Sequence, residues 1–185
     1  MLNGLNLEAL KSYIDVIGQD PNEAQLTLGV TANWKGGVET EITTHPKNIG
    51  SKPAAKQFTY SIGEPEALLG DNRYPNPQDY LLGGMAGCMM VGFVAGATAK
   101  GIQLESVKLT IKGALDLRGF LDLDPNVSVG FEELQFNFEV AGRGTTEQYD
   151  EIIAHVQKVS PGYRTISDPV RISINRHLGI EQQEV

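Results

Sequence analysis

The chain contains one thiol, Cys88, set in the run Gly83-Gly84-Met85-Ala86-Gly87-Cys88-Met89-Met90. A cysteine thiolate attacks electrophiles, binds soft metals and is oxidised stepwise from the sulfenic acid upward. A lone cysteine closes no disulfide within its chain and builds no multi-cysteine zinc site. It can still serve as a nucleophile if a nearby cation holds its anion, and Lys35, Arg73 and Arg164 are the candidates, all in loops or turns of the sequence pattern. Other chemistries are weaker. Asp122, Asp124, Asn126, Ser128 and Glu133 have the spacing of a calcium loop, but Val127 stands where that loop needs glycine, so a solvated acidic loop is expected. The histidines, His45, His155 and His177, are scattered, and no metal or cofactor motif emerges.

Whatever Cys88 does depends on the helix that carries it. Tyr80 to Ala99 holds no charged residue. Asn76 and Pro77 supply an N-cap and a first-turn proline, and Lys100-Gly101 supplies the stop. Cys88 lies eleven residues past Pro77, too far in for the dipole of its own helix to stabilise a thiolate, and burial would leave it inert. Gly84, Cys88, Gly92 and Ala95 form a stripe of small residues, which lets another helix approach closely, whether from this chain or from a second copy. The segment is long enough to span a membrane, but its five glycines and its lack of anchoring Trp, Lys or Arg favour a helix buried on all sides in a soluble protein.

The rest of the chain must frame that helix. Leu7, Leu10, Ile14 and Ile17 have helical spacing. Leu26 to Trp34 alternates, which predicts a strand with one buried face; Gly36-Gly37 turns it into a second strand over Val38 to Thr44. His45 to Ala55 reads as a polar loop, Phe58 to Ile62 as a third strand and Gly63 to Pro77 as loop. Beyond the helix, Glu105 to Arg118 reads as a long strand and Leu134 to Val140 as its antiparallel partner. Thr145 to Gln148 is a capping box that opens a helix, Pro161-Gly162 stops it, and Val170, Ile172 and Ile174 predict a last strand before a polar tail over Ile180 to Val185. The class is α+β with mostly antiparallel strands. A length of 185 residues with 41% hydrophobic content predicts one globular domain, and a net charge of −8 argues against nucleic acid as partner. Met1 to Gly18 lacks the basic start of a signal peptide, so a cytoplasmic protein is expected.

Two stretches resemble the OsmC/Ohr family of thiol proteins linked to organic hydroperoxide and osmotic stress. Asn76-Pro77-Gln78-Asp79-Tyr80-Leu81-Leu82, running on to Cys88, resembles the start of the family's central helix and its peroxidatic cysteine. Ser160-Pro161-Gly162-Tyr163-Arg164-Thr165 resembles the stretch that carries the resolving cysteine. Trp34-Lys35-Gly36 resembles the turn of the first hairpin, and the order of elements matches. The resemblance covers about Gln25 to Leu178, so residues 1–24 read as an N-terminal helical extension and 25–185 as a single domain.

The resemblance implies an intertwined homodimer, with sheets wrapped around paired long helices and two sites near the subunit interface. It also implies a mechanism in which a thiolate attacks the peroxide, an arginine stabilises it, a glutamate positions the arginine and a second cysteine resolves the product. Here Cys88 matches the first part, Gln78 stands at the glutamate position and Ser160 at the resolving position. Lys35 and Arg73 are the cations nearest the arginine's place in the sequence, and lysine lacks the planar fork of arginine. Tyr80, Tyr163 and Arg164 would line the cleft, although aromatic packing explains the tyrosines as well. Two functions are thus expected as alternatives. One is a one-cysteine reductase of organic hydroperoxides that uses an external thiol. The other is a non-catalytic relative that binds a hydrophobic small molecule at the dimer cleft.

Overall fold

The computed structural model describes residues 1–175. Helix α1, Leu7–Gln19, starts where the Asn6 side chain accepts the Ala9 N–H. Strands β1, Val30–Gly36, and β2, Glu39–Thr44, form the expected hairpin, with Gly36 and Gly37 at φ +118° and +52° in the turn. The expected polar loop after β2 instead holds a small hairpin, β3, Lys47–Ile49, and β4, Lys52–Ala55. Gly50 between them adopts φ +56°, which lets the chain reverse there. Strand β5, Thr59–Ile62, pairs antiparallel with β2 and completes a sheet of order β1-β2-β5.

Helix α2, Pro77–Ala99, carries Cys88. Its start is a full capping box, in which the Asn76 side chain accepts the Asp79 N–H and the Asp79 side chain accepts the Asn76 N–H. Gly101, at φ +71°, ends it. Strand β6, Leu104–Lys112, is shorter than the period suggested. Asp116 accepts the Arg118 N–H and caps a single helical turn, α3, Leu117–Phe120, so local capping overrides the alternation of Leu115 and Leu117. Strand β7, Gln135–Gly142, pairs antiparallel with β6, placing Leu109 opposite Phe138 and Ile111 opposite Phe136. Helix α4, Thr146–Val159, opens on the capping box of Thr145 and Gln148. Pro161-Gly162 ends α4 but also begins α5, Pro161–Ser167, a helix the sequence reading lacked.

The predicted strand over Val170 to Ile174 does not form. Those apolar residues are 56%, 84% and 90% exposed at 170, 172 and 174, and alternation without a neighbour to complete the hydrogen bonds makes no sheet. His177 and the tail over Ile180 to Val185 lie outside the described residues.

The core forms on one side of α2. Met85, Met89, Phe93 and Ala97 recur every fourth residue and are buried under Ile152 and Val156 of α4, Ile102 and the inner face of β6 and β7. Phe93 stacks on Phe138 at 5.3 Å. The expectation of a helix buried on all sides is not met within this chain. Leu81 and Val91 are 48% and 71% exposed, and Gly83, Gly84 and Gly87 face open space. Helix α2 is also long and apolar enough, by length and composition alone, to cross a membrane. The small residues are divided between two faces. A Cβ at Gly92 would lie 3.3 Å from Val156 and one at Gly96 would lie 3.0 Å from Ile152, so it is α4 of the same chain that uses these two glycines. Strand β1 departs from expectation in the same way as α2. Val30 and Trp34 are 57% and 76% exposed, because among the described residues no layer covers that face.

Candidate functional site

Cys88 sits half-buried on α2, where the start of α5 crosses it. Its Sγ accepts two hydrogen bonds, from the Ser160 hydroxyl at 3.2 Å and from the Gly162 N–H at 3.4 Å. Ser160 is buried and serves three roles. It ends α4, its Oγ accepts the Tyr163 N–H at 3.4 Å as the cap of α5, and its proton points at the sulfur. Pro161 fixes the first residue of α5 at helical φ without needing a donor. Gly162 is required by space, since a Cβ there would fall 2.9 Å from the Cys88 Cβ. The sulfur is therefore not served by the dipole of its own helix. It faces the first turn of a different one, where the Gly162 N–H has no partner within its own helix and donates to the sulfur. The cue in the sequence is Ser160-Pro161, an N-cap followed by an N1 proline, which marks a helix start as clearly as a stop.

The three candidate cations are engaged elsewhere in this chain. Lys35 pairs with Glu41 at 2.9 Å across the first hairpin. Arg73 pairs with Asp71 and, at 2.9 Å, with Glu39, and lies over the ring of Tyr74. The hydrogen bond that Arg73 donates to Asp71, reinforced by the charges of Asp71 and Glu39, holds the Arg73 guanidinium above its ordinary pKa. Arg164 points along α5 to Asp168, at 2.6 Å. None of the three is hydrogen-bonded to the Cys88 sulfur.

An apolar cavity of about 460 Å³ opens one turn of α2 away from Cys88. Gln78, Leu81 and Met85 of α2, Phe136 of β7 and Tyr163 and Ile166 of α5 form much of its wall. Tyr163 packs edge-on against Phe136, with ring centres 5.8 Å apart, and its backbone follows directly on Gly162. Met85 and Cys88 are both within 3.4 Å of a Cβ built at Gly162, so the cavity wall and the sulfur share one junction between α2 and α5. The opposite wall comes from the segment between β6 and β7, including Leu115 and Leu134. In that segment the hydrogen bond from Arg118 holds the Asp116 carboxyl at about 2, so this pair stays charged over the working pH range.

The remaining expected residues fall into two groups. Gln78 and Tyr163 line the cavity, and Ser160 touches the sulfur. Tyr80 does neither. Its hydroxyl donates to the Ser61 carbonyl at 2.9 Å and its ring stacks on Tyr60 at 4.9 Å, which ties α2 to β5. Among the described residues no cluster of three or more His, Cys, Asp or Glu side chains could hold a metal ion.

Comparison with solved structures places this arrangement among known folds. An OsmC-like protein from Mycoplasma pneumoniae superposes with a TM-score of 0.56 at 17% identity, over 77% of this chain and 87% of that one. An OsmC-like protein from Vibrio cholerae gives 0.55 at 11% identity, over 75% and 92%. A protein from Legionella pneumophila described as an organic hydroperoxide resistance protein OsmC gives 0.50 at 20% identity, over 76% and 88%. No curated protein matches the chain significantly. The family model for OsmC-like proteins matches residues 70–175, a span that runs from the loop before α2 through Cys88, the cavity and α5. The chain belongs to the OsmC-like protein family.

Proposed function

We propose that the protein is a one-cysteine reductase of organic hydroperoxides. The observation that carries this reading is the sulfur of Cys88 accepting hydrogen bonds from the Ser160 hydroxyl and the Gly162 N–H at the start of a helix, beside an apolar cavity. Both donors are placed to hydrogen-bond the sulfur that makes the attack. The thiolate attacks the terminal oxygen of the hydroperoxide; the S–O bond forms as the O–O bond breaks. The leaving alkoxide takes up a proton, matching the one the thiol released, and departs as the alcohol. The sulfur is oxidised by two electrons to the sulfenic acid. Ser160 holds no sulfur, so the return step needs an external thiol. One reductant thiol attacks the oxidised sulfur, expels water and leaves a mixed disulfide; a second frees Cys88 and leaves as the oxidised reductant. The Legionella pneumophila neighbour, described as an organic hydroperoxide resistance protein, makes this chemistry the natural one to test.

Cumene hydroperoxide with excess dithiothreitol is expected to be consumed catalytically by the wild type, and Cys88→Ser is expected to lose turnover entirely. Equal consumption by the variant would remove Cys88 from the mechanism.

A second reading is favoured by the pairing of Lys35, Arg73 and Arg164 with carboxylates away from the sulfur. In it the protein binds an apolar small molecule in the cavity and does no chemistry. It requires that hydroperoxide leave the Cys88 thiol unchanged while an apolar dye still binds.

Both readings place the protein in a homodimer. The open glycine face of α2 and the uncovered face of β1 support this, since a second copy could bury both.

A further inference from the structure

The wall of the cavity beside Cys88 is largely apolar and carries two glutamates at its exposed edge. Met85 is buried and Phe136 half-buried in its wall, while Leu81, Ile166, Glu132 and Glu133 line it from exposed positions, the glutamates on the segment leading into β7. Among the described residues no lysine or arginine belongs to its wall and neither glutamate forms an ion pair. The whole chain carries a net charge of −8, which adds to the same sign at longer range. Most oxidised amphiphiles that would fill an apolar cavity enter with a head group at the mouth. A carboxylate there meets two like charges, and no cation among the described lining residues receives it.

We infer that this cavity selects by charge, taking apolar hydroperoxides that carry no carboxylate and discriminating against those that do, with Glu132 and Glu133 as the residues that set the preference. The inference rests on the reading of the cavity as the place where the organic part of the substrate sits. It adds a substrate class to that reading. The pair of glutamates acts before chemistry, on capture of the peroxide, so the effect belongs in kcat/KM and in binding.

The test compares linoleic acid hydroperoxide with its methyl ester, which share one hydrocarbon body and differ in charge. With dithiothreitol as reductant at about 10 mM salt, the wild type is expected to favour the ester by about fivefold in kcat/KM, the scale set by exposed charge pairs. Glu132→Gln/Glu133→Gln should bring that ratio close to one, and so should about 1 M salt, where screening is nearly complete. A ratio that is the same in the wild type and the double variant, or a wild type that prefers the acid, overturns the inference. Displacement of Nile red, an uncharged apolar dye, by the non-peroxidised acid and ester reads the same preference without any redox step. If no hydroperoxide oxidises Cys88 but the ester still displaces the dye more effectively than the acid, the reductase reading fails and the charge selection stands. If the dye does not bind, or acid and ester displace it equally, the charge selection fails, whatever the fate of the thiol.

Discussion

The Ser160 hydroxyl stands 3.2 Å from the Cys88 sulfur, so a thiol at position 160 would need to close by only about 1 Å to reach disulfide distance. Ser160→Cys should therefore convert the site into a two-thiol one. One equivalent of hydroperoxide is expected to remove both thiols and give an intrachain disulfide, seen as a loss of two mass units under non-reducing conditions. Two thiols that survive as separate oxidised or free residues would place the side chains further apart than this geometry has them. Cys88, Gln78 and Ser160 were picked out by the two stretches that resemble the OsmC/Ohr family, and the structure sets Ser160 against the sulfur and Gln78 in the cavity wall. The pairings of the cations were not legible in the sequence. Arg73 goes to Asp71 and Glu39, and Lys35 to Glu41, because the first hairpin and the loop before α2 bring those carboxylates together. Pairings between distant segments leave no trace in the spacing of a single one.

At the scale of elements, α2 and α5 make the site and α4 fixes their relation. Gly92 and Gly96 let α4 lie close enough for Val156 and Ile152 to reach the core. Gly96→Val forces branched carbons against the Ile152 side chain, already 3.0 Å from a Cβ at that position. Urea denaturation is expected to register about 1–3 kcal/mol of lost stability, the usual cost of overpacking; an unchanged midpoint would mean that α4 stands off from α2. The boundaries of α2 were readable because Asn76, Pro77, Lys100 and Gly101 mark its ends chemically. Helix α5 was missed because Pro161-Gly162 carries both a stop and a start signal, and the preceding helix claimed the stop. The end of β6 was missed for a related reason: the Asp116 cap is a side-chain event that a hydrophobic period does not register.

For the whole molecule, the main discrepancy concerns burial. The sequence reading expected both α2 and β1 to be covered, and in the single chain Val91 and Trp34 remain 71% and 76% exposed. Hydrophobic pattern reports that a face is meant to be buried; it does not report which chain buries it. In the proposed homodimer the wild type is expected at twice the chain mass in light scattering. Gly87→Leu, which fills the open face with a branched side chain, should shift it toward monomer without disturbing the core on the opposite side. A wild type that runs as a monomer, or a variant that dimerises as well as the wild type, would point to a different cover for these faces.

The central claim is that Cys88 is the atom a hydroperoxide oxidises. The most direct measurement mixes the reduced protein with one equivalent of cumene hydroperoxide in the presence of dimedone and locates the adduct by mass spectrometry. The account predicts stoichiometric loss of the thiol with dimedone attached at Cys88, and no adduct in Cys88→Ser. A thiol that stays free and titratable under these conditions, in folded protein, would contradict it.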